Sequence, residues 1–425
     1  MANLNRQVDE VVPETERRVL RELGRRKAEI AALPIQEERR RLWTKLNDLA
    51  SARPMVWAFE VPWHEMSLGN ELEPVCSDPY FRHLEIMLRK ELYQWDHMQG
   101  DMVVEPDILV MPMMSDTGFG MAEEVDVERT DETSNVVSRH FHIQIQDDRD
   151  IDKIKMPKVT LFPDMWDDRL ELVSAVFDGV ISVRKSGMQS TSIAPWDWLI
   201  RMTGVEEALL DMALRPDYVH RLMDRLTTAY ISRLDQYDQL NILAPNNERW
   251  LGGGPQFTDE LPPPDYDPNR TRTSDMWGRT MSQIFSAVSP AMHEEFALQY
   301  ECRYLERFGL TYYGCCEPLD KKMEILRKNV PNLRKISMSP WIDLDVAAEG
   351  VGADYVFSLK HNPAMLATDE WDPEFVRRDL TRILERLRGM HVEIIMKDIS
   401  TVRYEPQRLW EWARIAGEVA EQFAS

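Results

Sequence analysis

Leu310-Thr311-Tyr312-Tyr313-Gly314-Cys315-Cys316-Glu317, followed by Pro318, reads as an apolar, aromatic strand that ends abruptly in two thiols and a carboxylate. The ending has two readings. Soft thiolates and a carboxylate suit a zinc site, and barrel enzymes keep their chemistry at strand C-termini. Alternatively, neighbouring cysteines seldom form a useful disulfide, and a free cysteine is often just a small buried apolar residue.

Outward from this stretch the chain alternates strands with helices. Gly179-Val180-Ile181-Ser182-Val183 precedes a helical region at 196–238, and Leu240-Asn241-Ile242-Leu243 precedes a long loop and a helix near 287–308. Leu310–Tyr313 is followed by a helical run at 320–329, and Leu333-Arg334-Lys335-Ile336-Ser337 by one at 343–350. Asp354-Tyr355-Val356-Phe357-Ser358 leads into 373–388, and Val392-Glu393-Ile394-Ile395-Met396 into 406–423. This alternation implies parallel βαβ units. With Val56–Val61 and the strand-like 102–104 and 108–111, the number of strands favours a closed (β/α)8 TIM-type barrel over an open sheet.

Upstream, residues 14–52 carry Leu20, Leu23, Ile30, Leu33 and Leu42 at helical spacing among Glu and Arg. They read as amphipathic helices with a charged face. The expected division is therefore a helical N-terminal extension at 1–52, a possible homodimer contact, and a barrel at 53–425. The irregular segment 252–276, with Gly252-Gly253-Gly254-Pro255 and Pro262-Pro263-Pro264, is expected to be a lid. No Gly-Lys-Ser/Thr follows, so it is not a phosphate loop.

Composition narrows the function classes. A net charge of −22 argues against nucleic-acid backbones and anionic membranes as partners. No apolar run approaches the ~20 residues that span a bilayer. The acidic start, with Asp9, Glu10, Glu14 and Glu16, lacks a signal peptide's apolar core, so cytoplasm is the expected compartment. Four cysteines in 425 residues are no disulfide framework, and Cys76 and Cys302 read as structural.

The central and downstream stretches carry a family resemblance. Gly187-Met188-Gln189, Trp198-Leu199-Ile200-Arg201-Met202-Thr203-Gly204, Leu214-Arg215-Pro216 and Val219-His220-Arg221-Leu222-Met223-Asp224 resemble the central segment of the uroporphyrinogen decarboxylase superfamily. Ile336-Ser337-Met338-Ser339, Trp341-Ile342-Asp343-Leu344, Lys360-His361-Asn362-Pro363-Ala364 and Met396-Lys397-Asp398-Ile399 agree with it. The resemblance covers about residues 55–425 and implies a (β/α) barrel. The decarboxylase branch binds substrate carboxylates with a Trp-x-Met-Arg-Gln-Ala-Gly-Arg run; here Pro62-Trp63-His64-Glu65-Met66 stands in its place without the arginines. The methyltransferase branch binds zinc through His-x-Cys at one strand end and a Cys on a later strand. Those positions fall on Tyr313–Glu317, without the His, and near Lys397-Asp398, without the Cys.

The candidate metal ligands are Cys315, Cys316, Glu317, His361 and Asp398, all at strand ends. Strand alternation would turn Cys315 and Glu317 inward with Cys316 outward, the opposite register would present Cys316 alone, and a tight turn at Glu317-Pro318 would present both. His361 reads equally as a turn cap before Asn-Pro, and Lys397-Asp398 as a buried ion pair. Catalytic candidates are Glu317, His64 and Glu65, the last two closing the first strand. Substrate-binding candidates are Trp63, Asn246, Asn247, Trp250 and Lys360. His140 and His142 read as surface strand residues and His97 as structural. The many Trp and Met residues near strand ends suit an aromatic substrate.

What the resemblance implies is a corrinoid-dependent methyltransferase of O-demethylase type. It would move a methyl group from a small methylated donor, foremost a phenyl methyl ether, to the cobalt of cobalamin carried by a partner corrinoid protein. Zinc or a protonating side chain would activate the leaving oxygen. The alternatives are transfer from corrinoid to a thiol such as coenzyme M or homocysteine, a decarboxylase holding a small acid with Lys360 or Arg184, and a non-catalytic barrel that binds a corrinoid or tetrapyrrole.

Overall fold

The computed structural model describes residues 10–128, 138–248 and 254–424. Its centre is a seven-stranded sheet in the order β1 (Met55–Ala58), β13 (His391–Met396), β12 (Val356–His361), β11 (Leu333–Met338), β10 (Leu310–Tyr313), β9 (Trp277–Thr280), β8 (Ser192–Ile193), every pair parallel. β2 (Asp107–Val110) and β7 (Ser182–Lys185) form a separate parallel pair. Parallel strands interleaved with helices are an α/β arrangement. Among the described residues no ladder joins the two sheets, although β7 and β8 belong to one short stretch of chain. Two antiparallel ribbons, β3 (Met114–Asp116) with β6 (Val159–Leu161) and β4 (Val125–Glu128) with β5 (Ser138–Phe141), lie between β2 and β7 in the chain.

The sheet is buried on both faces, as parallel sheets require. β8 apart, its members lack an exposed residue, and β1, β9, β10 and β12 are buried throughout. The helices expected from periodicity are present as Pro195–Thr203, Val205–Leu214, Pro216–Gln239, Leu344–Val351, Pro373–Arg386 and Gln407–Gln422. Asp343 and Asp372 cap two of them by accepting backbone N–H bonds, worth about 1 kcal/mol each.

The structure corrects three expectations. The strand expected at 240–243 shrinks to a single bridge between Leu243 and Met188; the preceding helix runs on to Gln239 and leaves no room for a strand. The strand Trp277–Thr280 was missed, because Gly and Arg at its centre give no β signal. The expected lid lies, in its described part, at the other end of the sheet. Asn47 Nδ2 holds the carbonyls of Pro255 and Phe257 at 3.0 and 2.8 Å, and Thr258 bonds Asp48. A Cβ on Gly254 would strike Trp43 at 2.2 Å and Glu393 at 2.9 Å. The segment therefore plugs the N-terminal ends of the strands.

The N-terminal helices Glu14–Ala31 and Pro34–Asn47 turn Leu20, Ile30, Trp43 and Leu46 inward within the same chain. Lys27 pairs with Glu91 at 2.7 Å. No helix of the described residues is long and apolar enough to cross a membrane.

Candidate active site

Three strand ends meet in sharp turns. Gly314, just after β10, has φ of 93°, and a Cβ there would meet Leu319 at 2.5 Å. Glu60, after β1, and Asp398, after β13, are left-handed non-glycine residues with φ of 54° each. Such conformations cost of order 1–3 kcal/mol and gather at functional sites.

The turn at Gly314 breaks strand alternation, so neither simple register holds. Both cysteines face the end of β13, with sulfurs 3.6 Å apart. Lys397 Nζ lies 3.0 Å from Cys315 Sγ and 3.7 Å from Cys316 Sγ. It also lies 3.4 Å from carboxylate oxygens of Glu60 and Asp398. Cys316 Sγ also lies 3.0 Å from Asp398 Oδ2. Lys397 and Cys315 are buried, Cys316 is half-buried, and Glu60 and Asp398 are exposed, so the group opens to solvent through its carboxylates.

The electrostatics separate the two thiols. The hydrogen bond from Cys316, reinforced by Arg279 and Lys397, lowers the Cys315 pKa to about 4 against the opposing effect of burial. The same bond, with burial, moves Cys316 upward. The pair thus shares one proton, with the negative charge on Cys315. Burial opposes the charge on Lys397, but the sulfurs, Asp398 and Glu60 outweigh it and raise its pKa. Arg279 supports the turn from below: it donates to the Gly314 carbonyl at 2.9 Å and lies 4.6 Å from the Tyr312 ring.

The other expected ligands point elsewhere. Glu317 is fully buried, and its two oxygens accept the backbone N–H groups of Ser282 at 3.0 Å and Cys315 at 2.9 Å. It fastens the turn. His361 alternates to the helix side of β12; its Nδ1 accepts from Trp412 at 2.9 Å and its Nε2 lies 3.2 Å from Asp379. Among the described residues no three His, Cys, Asp or Glu side chains are placed to share a metal ion. The thiols and Asp398 come nearest to a ligand set, and the Lys397 ammonium stands among them. A dication at those sulfurs would face that ammonium at contact range, so the residues as arranged do not fit zinc.

Behind Glu317 lies a second buried polar group that sequence reasoning missed. Ser282 Oγ and Tyr313 OH donate to Glu301 at 2.8 and 2.6 Å, and His293 Nε2 lies 2.6 Å from the Tyr313 oxygen. Burial lifts Glu301 to about 7, partly offset by those two bonds. Burial also pushes His293 down to about 3, keeping it neutral. A π-helical turn, Glu294–Leu298, separates His293 from the helix bearing Glu301.

The remaining candidates are scattered. Glu65 Oε2 accepts from Thr401 Oγ1, Val402 N and Tyr404 N at 2.9, 2.7 and 3.2 Å. It buckles the loop after β1 to the loop after β13. His64 is nine-tenths buried, edge-on to Tyr404, and its Nδ1 has no partner in the described structure. Trp63 packs edge-on against Tyr93 under Lys90. Asn246 is fully buried: its Oδ1 accepts from Trp277 N at 2.8 Å and its Nδ2 donates to Trp277 O at 2.9 Å and Gln189 O at 3.1 Å. It replaces missing ladder bonds and leaves no amide hydrogen for a ligand. Asn247 beside it is half-buried, and Trp250 lies outside the described residues. Lys360 is buried deep on the inner face against Tyr312 OH (2.9 Å) and Ser358 Oγ (2.5 Å), and Arg184 is bonded to Asp107 at 2.5 Å. Neither is placed at the thiol site. His142 pairs with Asp126 on an exposed ribbon, and His97 stacks on Trp410.

No family model matches the sequence, and no curated protein matches it. Among solved structures the chain shares its fold with a methyltransferase from Methanosarcina mazei, with a TM-score of 0.51 at 11% identity over 91% of this chain and 99% of that one.

Proposed function

We propose that this protein is a methyltransferase, built on a (β/α)8 barrel whose wall is completed by β2 and β7. In this reading it moves a methyl group from a small methylated donor, foremost a phenyl methyl ether, to the cobalt of a corrinoid carried by a partner protein. The observation that carries the reading is the thiolate–ammonium pair Cys315–Lys397, 3.0 Å apart at the C-terminal ends of parallel strands. Likeness in fold to a methyltransferase supports it.

The chemical problem is the leaving group. An aryl ether releases phenolate reluctantly, so negative charge on its oxygen must be stabilised as the methyl group departs. Lys397 supplies a buried ammonium for this. Cys315 and Asp398 keep it charged and aimed, while Glu317 and Arg279 hold the turn that presents the thiolate. The partner's corrinoid supplies the methyl acceptor. Every step assigned to this chain is binding, orientation or proton donation at the ether oxygen.

The test is methyl transfer from a panel of methoxylated aromatics to reduced corrinoid, followed by phenol release. Release by the natural chain, lost in Lys397→Met with the circular-dichroism spectrum unchanged, is the expected result. No release from any donor by folded protein, or full activity in Lys397→Met, would overturn the reading.

A further inference from the structure

We propose that Cys315 and Cys316 form an oxidative modification site, at which a hydroperoxide converts the thiol pair into a disulfide. The proposal goes beyond methyl transfer and does not rest on it.

The geometry supplies each part. The attacking sulfur, Cys315 Sγ, lies 3.0 Å from the Lys397 ammonium, which stabilises a thiolate there. The resolving sulfur is 3.6 Å away on the next residue. Asp398 Oδ2 lies 3.0 Å from that sulfur, a carboxylate able to take its proton. Cys315 is buried, but Cys316 beside it is half-buried and Asp398 exposed, so the approach for a molecule as small as hydrogen peroxide is past Cys316. A reactive thiolate beside a resolving cysteine is the arrangement of redox-sensitive sites. Neither other cysteine has it. Cys302 is pushed up to about 12, chiefly by burial, and Cys76 is fully buried and shifted upward.

The chemistry balances as follows. Cys315 thiolate attacks one peroxide oxygen; an S–O bond forms, the O–O bond breaks, and the leaving alkoxide or hydroxide takes a proton from solvent. Cys316 then attacks the sulfenic sulfur while its proton passes to Asp398. The S–S bond forms, the S–O bond breaks, and the departing hydroxide is protonated to water. The two sulfurs lose two electrons and the peroxide gains them. Adjacent α-carbons are ~3.8 Å apart, below the usual disulfide span of about 4.4–6.8 Å. The product is therefore strained and readily reduced. Oxidation also removes the charge that holds Lys397, leaving it to Glu60 and Asp398.

The experiment treats the reduced full chain with equimolar hydrogen peroxide, blocks free thiols with N-ethylmaleimide and sequences the peptides by mass spectrometry. The peptide holding Cys315 and Cys316 should lose two hydrogens and take up no maleimide. Dithiothreitol should restore both thiols, while Cys76 and Cys302 stay free. Lys397→Met should slow the reaction by roughly tenfold at about pH 5, where the variant's Cys315 is mostly protonated, and Cys316→Ser should stop at a sulfenic acid that dimedone traps. Oxidation of the pair no faster than that of Cys76 and Cys302, or maleimide on both sulfurs after peroxide, would refute the proposal. The assay contains no methyl donor and no corrinoid, so its failure is separate from failure of the methyl-transfer reading.

Discussion

Replacing Lys397 with methionine removes the charge nearest Cys315 while keeping a side chain of similar length. Opposite unit charges 3.0 Å apart attract by about 5 kcal/mol at an effective dielectric of about 20. Arg279 and the Cys316 hydrogen bond remain, so about half of that, ~2–3 kcal/mol, is the realistic loss. That corresponds to roughly a hundredfold in the acid constant of the thiol. The inflection for thiolate formation, at about 4 in the natural chain, is expected to rise by roughly two pH units. Thiolate ultraviolet absorbance against pH measures this without requiring a reagent to reach the sulfur, and Cys315→Ser identifies the signal. The sign for stability follows. A thiol whose folded pKa lies below the unfolded value of about 8.5 contributes fully above that pH and loses its contribution as pH falls toward about 4. Lys397→Met should flatten that slope. An unchanged inflection in Lys397→Met would refute the ion-pair account of the site.

Glu301 should act in the opposite sense. Its folded pKa of about 7 exceeds the unfolded value of about 4.3, so its contribution falls as pH rises between them. Glu301→Gln should remove that decline in urea midpoints, and an unchanged slope would show that Glu301 does not titrate there. Lys335 and Glu393 are fully buried and paired at 2.7 Å; Glu393→Leu alone should cost about 3–5 kcal/mol by stranding the lysine. The double variant with Lys335→Met should recover most of it, and a double variant no more stable than the single would contradict this. Elemental analysis of the purified chain should find zinc well below one per chain. A full equivalent, lost in Cys315→Ser and Cys316→Ser, would overturn the placement of an ammonium where a metal would sit.

Much of the architecture was legible because it rests on local signals. Buried parallel strands are short apolar runs, and the helix expected at 373–388 is present from Pro373. Trp277–Thr280 escaped notice because its strand character comes from two flanking ladders rather than from its own residues. The thiol stretch stands out in the sequence by its position at a strand end, and the structure places Lys397 beside it. His361 does not join it, because alternation along β12 sends Lys360 inward and His361 outward, against Trp412. Glu317 likewise looked like a catalytic carboxylate, but only the turn at Gly314 shows it folded back onto backbone N–H groups.

The sequence by itself determined that strands and helices alternate, that two thiols end the strand at Tyr313, and that the charge disfavours polyanionic partners. These depend on neighbours in the chain and on totals. The tertiary structure decided which charge meets those thiols. Lys397 is eighty-two residues from Cys315, and Glu60 follows the edge strand β1, which pairs with β13. An electrostatic site is the sum of short-range interactions in space. Its groups are brought within reach by the turns at the strand ends and by the pairing of β1 with β13, which nothing beside the cysteines encodes.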